Sequence, residues 1–314
     1  MEPKIALFSE NGLRGKVPLD FPNMRTEFAW MYALDMTHHP LGSTLDGAKY
    51  DLGIIILPKT NIDKLMQQDH IGYLKLHCKK LAIMQEGPSW FFQDLPLPEQ
   101  LWFFGVMTEV DFILAHNDRD KQYYKGLLEK PVYINPTLMI TEQLTIPDAD
   151  RSGVLIGGNL VRWYGGFNSL MVAQEFDEPI TAPKMGRMHP SETQLDINHL
   201  PYLQWTEWIQ TVNKFKYAVH LIPNELAGTF SLNCAYLGIP CIGNIHSNTQ
   251  RNCFPNLSIE PTDINRAKQL AQRLKTDTDF YNDCVIDAKL GYVKYNVENY
   301  GKHMKDIFIR EGIL

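Results

Sequence analysis

Short runs rich in Ile and Val, each bounded by turn residues and separated from the next by a helix-like stretch, recur along this whole chain. A strand buried on both faces reads as a continuous apolar run, and parallel strands need a long crossover between them, usually a helix. The alternation therefore restricts the chain to parallel sheets with crossover helices. In the first half the expected strands are 4–8, 53–57, 81–85, 112–115 and 132–134; the second half restarts with 153–157, 180–183, 217–222, 240–243 and 257–259. Two sheets are expected, since 314 residues hold two domains of roughly 100 to 200 residues each. The polar stretch 141–152, TEQLTIPDADRS, separates them. The expected division is 1–146, then 147–290, with a C-terminal helix at 291–314 that packs back on the first domain.

Composition removes several classes. With 44% apolar and 21% charged residues, disordered, collagen-like and coiled-coil chains are excluded. The net charge is -6, and residues 1–150 carry 14 Lys and Arg against 20 Asp and Glu, whereas 151–314 carry 16 of each. The second half is thus the less hostile host for an anionic ligand, and the first lacks the basic surface of a non-specific nucleic-acid binder. The five cysteines, Cys78, Cys234, Cys241, Cys253 and Cys284, form no CxxC pair and read as buried thiols. The opening MEPKIALFSENG has no signal-peptide pattern, and no run approaches the length needed to span a bilayer, so a cytoplasmic protein is expected.

The most informative passage is 217–244, YAVHLIPNELAGTFSLNCAYLGIPCIGN. It reads as a strand, a turn at Pro223-Asn224-Glu225, and a helix after Thr229 that stops at Gly238, two residues before Pro240. Gly228 lets backbone approach a ligand, and the helix-start amides with the Thr229 and Ser231 hydroxyls suit a phosphate. Glu225 offers a carboxylate to sugar hydroxyls; its plainer reading is an acid at a helix start. In LIGGNLVRWYGG, Gly157 and Gly158 permit a tight turn and Arg162 can neutralise a diphosphate. ITAPKMGRM brings Lys184 and Arg187 after the next strand, and ALFSENGLRG places Gly12 and Gly15 after the first. LAIMQEGPSWFF ends a strand on Glu86, where partial desolvation would raise the carboxyl toward the range of a general base.

Taken together, the strand, the Glu-containing turn, the glycine loop and the small-residue helix ending in LGIP resemble the donor-binding segment of GT-B glycosyltransferases. The resemblance implies an α/β fold of two Rossmann-like domains with parallel sheets facing across a cleft, the acceptor side in 1–146 and the nucleotide-sugar side in 147–290. It implies metal-independent, hexosyltransferase-like transfer of a sugar from a nucleoside-diphosphate sugar to a hydroxyl acceptor, with no cofactor beyond that co-substrate. A Glu and a second Glu after seven intervening residues meet the donor sugar and the ribose in many of these enzymes. Here the positions are Glu225 and Asn233, and an Asn amide can bond a ribose diol only without charge. The glycine loop with its basic residue corresponds to Gly157, Gly158 and Arg162, Gly12 lies at the corresponding loop of the first domain, and Lys184 and Arg187 fall in the base-recognition loop. Glu86 corresponds to the general base of bacteriophage DNA β-glucosyltransferase. The implied catalytic pair is Glu86 and Arg162; the implied donor set is Gly12, Gly157, Gly158, Lys184, Glu225, Gly228, Thr229, Ser231 and Asn233. Arg162 and backbone amides would stabilise the departing diphosphate in place of a metal.

The implied acceptor is a carbohydrate or another small hydroxyl compound. A hydroxymethylated base in phage DNA is the other class, and the acidic first half weighs against it. A nucleotide-sugar epimerase of the same fold and a non-catalytic sugar-nucleotide binder are the alternative functions. Of the remaining residues, His38-His39 lack the partner spacing of a metal site or a catalytic base, His220 reads as a core histidine, and His116 lies at a strand end. Trp90-Phe91-Phe92 and Trp102-Phe103-Phe104 read as core or interface aromatics, with an acceptor-stacking platform as the lesser reading. Lys75, Lys79 and Lys80 read as a solvated helix face.

Overall fold

The computed structural model describes residues 2–58, 62–85, 87–186 and 188–314. They form two compact units, one comprising Met1–Phe21, Thr26–Pro136 and Val297–Leu314, the other Pro22–Arg25 and Thr137–Asn296. The division at 136/137 lies earlier than 146/147, and the polar stretch 141–152 belongs to the second unit.

The first unit contains β1 (Ile5–Ser9), β2 (Thr37–Pro40), β3 (Tyr50–Leu57), β4 (Cys78–Gln85), β5 (Phe112–Ala115) and β6 (Val132–Ile134). All pair in parallel in the order β2-β1-β3-β4-β5-β6. The central strands are buried along nearly their whole length, which explains their apolar runs. Phe92 and Phe103 enter the core beneath this sheet, while Phe104 stays 38% exposed. The helix Val297–Arg310 closes the unit: Tyr300 donates to Asn135 at 2.9 Å, and His303 Nε2 lies 2.7 Å from the Ile134 carbonyl oxygen.

The second unit contains β7 (Val154–Ile156), β8 (Ile180–Pro183), β9 (Asn198–Leu200), β10 (Tyr217–His220), β11 (Cys241–Asn244) and β12 (Ser258–Ile259), again all parallel. Their order, β12-β11-β10-β7-β8-β9, is the 3-2-1-4-5-6 order of a Rossmann sheet when counted within the unit. Both units are thus doubly wound and Rossmann-like.

Two strands were not expected. β2 (THHP) and β9 (NHL) are sheet edges, paired on one side only. An edge strand does not need the apolar run that reveals an inner one. Lys79 and Lys80 lie in β4 rather than on a helix, and they pair with Asp51 at 2.7 Å and Asp111 at 3.1 Å; Lys75 pairs with Glu109 at 3.0 Å. The five cysteines are free and buried. Among the described residues no helix is long and apolar enough to cross a membrane.

The helix Thr229–Leu237 ends where expected, on Gly238 in the left-handed conformation (φ 66°). Ile264–Thr276 is capped by Asp263, whose carboxylate accepts from the Arg266 amide at 3.0 Å, and not by Thr262. Trp205–Val212 begins one residue before Thr206, which is therefore inside the helix and not its cap. Asp263→Ala should accordingly lower the unfolding free energy by about 1 kcal/mol in urea titration, while Thr262→Ala leaves the midpoint nearly unchanged.

Candidate functional site

In an open α/β sheet, ligands bind beyond the carboxyl ends of the strands where the strand order reverses. In the second unit that point lies between β7 and β10, so the segments that leave these strands, 157–165 and 221–228, form the candidate site. The backbones stay in step past β7, the Gly157 amide donating to the Val219 carbonyl at 2.9 Å. Glycines bring the first segment close to its neighbours. A Cβ on Gly157 would lie 2.5 Å from the His220 ring, one on Gly158 2.7 Å from Tyr164, and one on Gly165 1.9 Å from the Leu221 carbonyl oxygen.

The second segment is fastened on both flanks. Toward β7, the Leu221 amide donates to the Ser169 hydroxyl at 3.0 Å, and the Asn224 side-chain amide donates to the Trp163 carbonyl at 2.7 Å. Toward β11, Asn244 donates to the Ile222 carbonyl at 3.0 Å, and the Thr249 hydroxyl donates to the Gly228 carbonyl at 3.1 Å. Gly228 has φ +79°, and a Cβ there would fall 1.6 Å from the Thr249 hydroxyl oxygen, so only glycine fits. Glu225 is held in this fixed turn at 7% exposure.

Thr229 then starts its helix with no side-chain cap at Gly228, and the first amides of a helix have no intrahelical acceptor. The Thr229 hydroxyl lies 3.3 Å from that of Thr137. Arg162 and Lys184, on the segments that follow β7 and β8, are exposed, and neither side chain has a hydrogen-bond or ion-pair partner among the described residues. Asn159 donates to the Lys184 carbonyl at 3.4 Å and joins these two segments.

Two expected donor residues are turned elsewhere. Ser231 donates to Gln250 at 2.7 Å and is 4% exposed. Asn233, at 1% exposure, accepts from the Trp208 indole at 3.0 Å. Both point into the unit because the helix packs on all sides, leaving no polar face for a ligand. Glu86 and Arg187 lie outside the described residues. Asn224, Asn244, Thr249 and Gly165, which shape the site, were not singled out from the sequence; the second glycine pair of LIGGNLVRWYGG was the available signal.

Gly12 is exposed in the first unit, after β1, where that sheet has its own reversal between β1 and β3. The loop is pinned by His38 on β2, whose Nδ1 lies 2.6 Å from the Leu13 carbonyl and whose Nε2 lies 2.8 Å from the Ser9 hydroxyl. A carbonyl only accepts, so Nδ1 carries the proton, and Nε2 of the neutral ring accepts from Ser9. Burial lowers the His38 pKa and so favours the neutral ring, with the Leu13 hydrogen bond acting in the opposite direction. His39 stacks on Phe8 and meets the Tyr50 hydroxyl at 2.6 Å. His116 is 8% exposed against Trp30.

Among the described residues no group of three or more His, Cys, Asp or Glu side chains is placed to hold a metal ion. The sequence does contain Asp-x-Asp triplets. In 118–120, Asp120 accepts from the Ser89 amide and from Asn117, and in 277–279 Asp277 caps a helix through the Phe280 amide; Asp148 and Asp150 are exposed.

No protein-family model matches this sequence, and neither does any curated protein. Solved structures do. HepE of Anabaena in complex with UDP-glucose matches with a TM-score of 0.70 at 10% identity, over 98% of this chain and 100% of that one. An α-glucosyltransferase in complex with UDP-glucose and DNA containing an abasic site matches with a TM-score of 0.61 at 13% identity, over 98% and 99%. The fold is GT-B. TarM of S. aureus, in a complex containing UDP, matches at a TM-score of 0.59 and 9% identity over 82% of this chain, which spans only 55% of TarM. At these identities the likeness is one of fold.

Gly228→Ala should strain the backbone and drive a methyl group into Thr249, lowering stability by about 1–3 kcal/mol in urea titration. Burial lowers the His220 pKa to about 4, and Nε2 has no hydrogen-bond partner among the described residues. The unfolded chain titrates near 6.5, so this contribution is fully present above about pH 6.5 and is lost as the pH falls toward 4. Stability should drop by about 2–3 kcal/mol over that window on account of this group, and His220→Leu should flatten the slope.

Proposed function

We propose that this chain is a glycosyltransferase that moves a sugar from a nucleoside-diphosphate sugar to the hydroxyl of a small-molecule or carbohydrate acceptor, without a metal or other cofactor. The observation that carries this reading is that the segments leaving β7, β10 and the adjoining β8 carry an uncapped helix start, a buried carboxylate on a fixed turn, and two cations with no partner among the described residues. A diphosphate suits the amides after Gly228 and the charge of Arg162, with Lys184 on the adjoining segment. Glu225 is the candidate sugar contact. Gly157 and Gly158 keep the backbone low beside it, and Thr229 adds a hydroxyl. Gly12, in the first unit, is proposed as a further donor contact. The bond from the anomeric carbon to the diphosphate oxygen breaks with its electron pair leaving on the diphosphate, where Arg162 and the amides stabilise the growing charge. The acceptor oxygen bonds to that carbon, and its proton passes to a base, for which Glu86 is the candidate. The UDP-glucose complexes of HepE and of the α-glucosyltransferase support the donor class.

A nucleic-acid acceptor is the second reading, favoured by the DNA in the α-glucosyltransferase complex. The ion pairing of Lys75, Lys79 and Lys80 and the acidity of residues 1–150 weigh against it.

Thermal-shift titration with UDP-, GDP- and ADP-sugars tests the donor site. One of them should stabilise the protein by about 2.7 kcal/mol at a hundredfold excess over Kd, and Arg162→Ala should remove most of that. No stabilisation by any nucleotide sugar sinks the reading. Glu86→Gln should leave donor binding intact and lower transfer to glycosides and to hydroxymethylated DNA by at least about a hundredfold, whichever of them accepts.

A further inference from the structure

The second unit carries an exposed apolar stripe that neither its core nor the donor chemistry uses. In the helix Thr278–Tyr292, the side chains of Phe280, Cys284 and Ala288 are buried against the unit. On the opposite side Ile286 is 56% and Leu290 67% exposed, and Val293, at the start of the short turn Val293–Tyr295, is 49% exposed. Residues three and four apart on a helix are neighbours, so these three make one continuous stripe. The preceding helix, Ile264–Thr276, shows the ordinary case: its exposed residues are all polar, Arg266, Gln269 and Arg273 among them. Apolar residues scattered singly over a surface need no explanation, whereas a contiguous patch rimmed by charge marks a contact.

Charge along this face selects what covers it. Asp279 and Asp283 are exposed toward the amino end of the helix, and Lys294 is exposed just past its carboxyl end. Neither Asp283 nor Lys294 has a hydrogen-bond or ion-pair partner among the described residues. Eleven residues make about three helical turns, so these two lie near one edge of the stripe, at opposite ends. A partner must bring a base to the acidic end, an acid to the basic end and an apolar centre between them. A second copy of the same helix, laid antiparallel, brings all three. A two-fold axis level with position 288 sets Ile286 beside Leu290 of the second copy, since the two stand at equal distances on either side of that level. Asp283 and Lys294 are also nearly equidistant from it, and the two-fold keeps both on the same edge, so each Asp283 comes abreast of Lys294 of the second copy. The antiparallel arrangement opposes the two helix dipoles as well.

We propose that this face is a homodimer contact in which the helix Thr278–Tyr292 pairs antiparallel with its own copy, Ile286 and Leu290 forming the centre and Asp283 pairing with Lys294 at both ends. No residue of the donor site takes part, so the test uses the full chain without nucleotide. One helix from each copy makes a contact at the small end of specific interfaces, so the dimer should form and dissociate with concentration. Sedimentation velocity over about 1–300 µM should show monomer giving way to dimer. Leu290→Asp, at an exposed position, should keep the melting temperature and weaken dimerisation at least about tenfold. Asp283→Lys and Lys294→Asp should each weaken it at least about threefold at low salt, and the two together should restore it, because antiparallel pairing exchanges the two charges. Monomer at every concentration, unchanged dimerisation in a folded Leu290→Asp protein, or no recovery in the double charge exchange would each overturn the proposal.

Discussion

Gly228 and Thr249 meet with no room for a side chain between them, and the shape of the second unit's ligand end follows from that contact. The glycine carbonyl accepts the threonine hydroxyl, and its left-handed φ turns the chain directly into the helix at Thr229. A side chain at 228 would push the turn off β11, taking with it the helix start and the segment that holds Glu225. The amides that the proposal assigns to a diphosphate are thus placed by packing within the protein and need no ligand to form.

The same economy recurs around the turn. Asn244 and Ser169 each satisfy one backbone group at the exit of β10, where the sheet ladder ends and its groups would otherwise be orphaned, and Asn224, on that exit, satisfies the Trp163 carbonyl of the neighbouring segment. Gly157 and Gly165 let the neighbouring segment lie against this exit. Arg162, by contrast, is exposed on that segment with no ion-pair partner among the described residues. Fixed backbone beside a free cation is an arrangement that binds an anion with little ordering cost. In the first unit His38 plays a comparable part, holding the loop after β1 through a carbonyl on one ring nitrogen and a hydroxyl on the other.

Much of the fold was legible because inner parallel strands must be apolar throughout: eight of the ten runs are inner strands, and the edges β6 and β12 were short enough apolar runs to show as well. β2 and β9 escaped because edge strands carry no such demand, and a THHP segment looks like a loop. In the candidate site, Glu225 and Gly228 follow from the order strand, turn, glycine, helix and Gly157 and Gly158 from the glycine pair after a strand; their part in donor binding belongs to the proposal. Ser231 and Asn233 were misjudged for one shared reason: spacing along a sequence fixes the distance from the turn but not the face of the helix, and here the helix is buried all round. Asn224, Asn244 and Thr249 gave no local sign, since each acts on backbone that only the folded sheet brings near.

By itself the sequence determined that this chain forms two parallel α/β sheets, and that its second half carries a turn built for close approach beside balanced charge. Those are local properties, set by apolar period, by glycine and by the stop at Gly238. Only the tertiary structure decided which side chains remain free for a ligand. Crossover connections bring together residues dozens of positions apart, and whether a hydroxyl or amide is available depends on which of those neighbours has already taken its hydrogen bond.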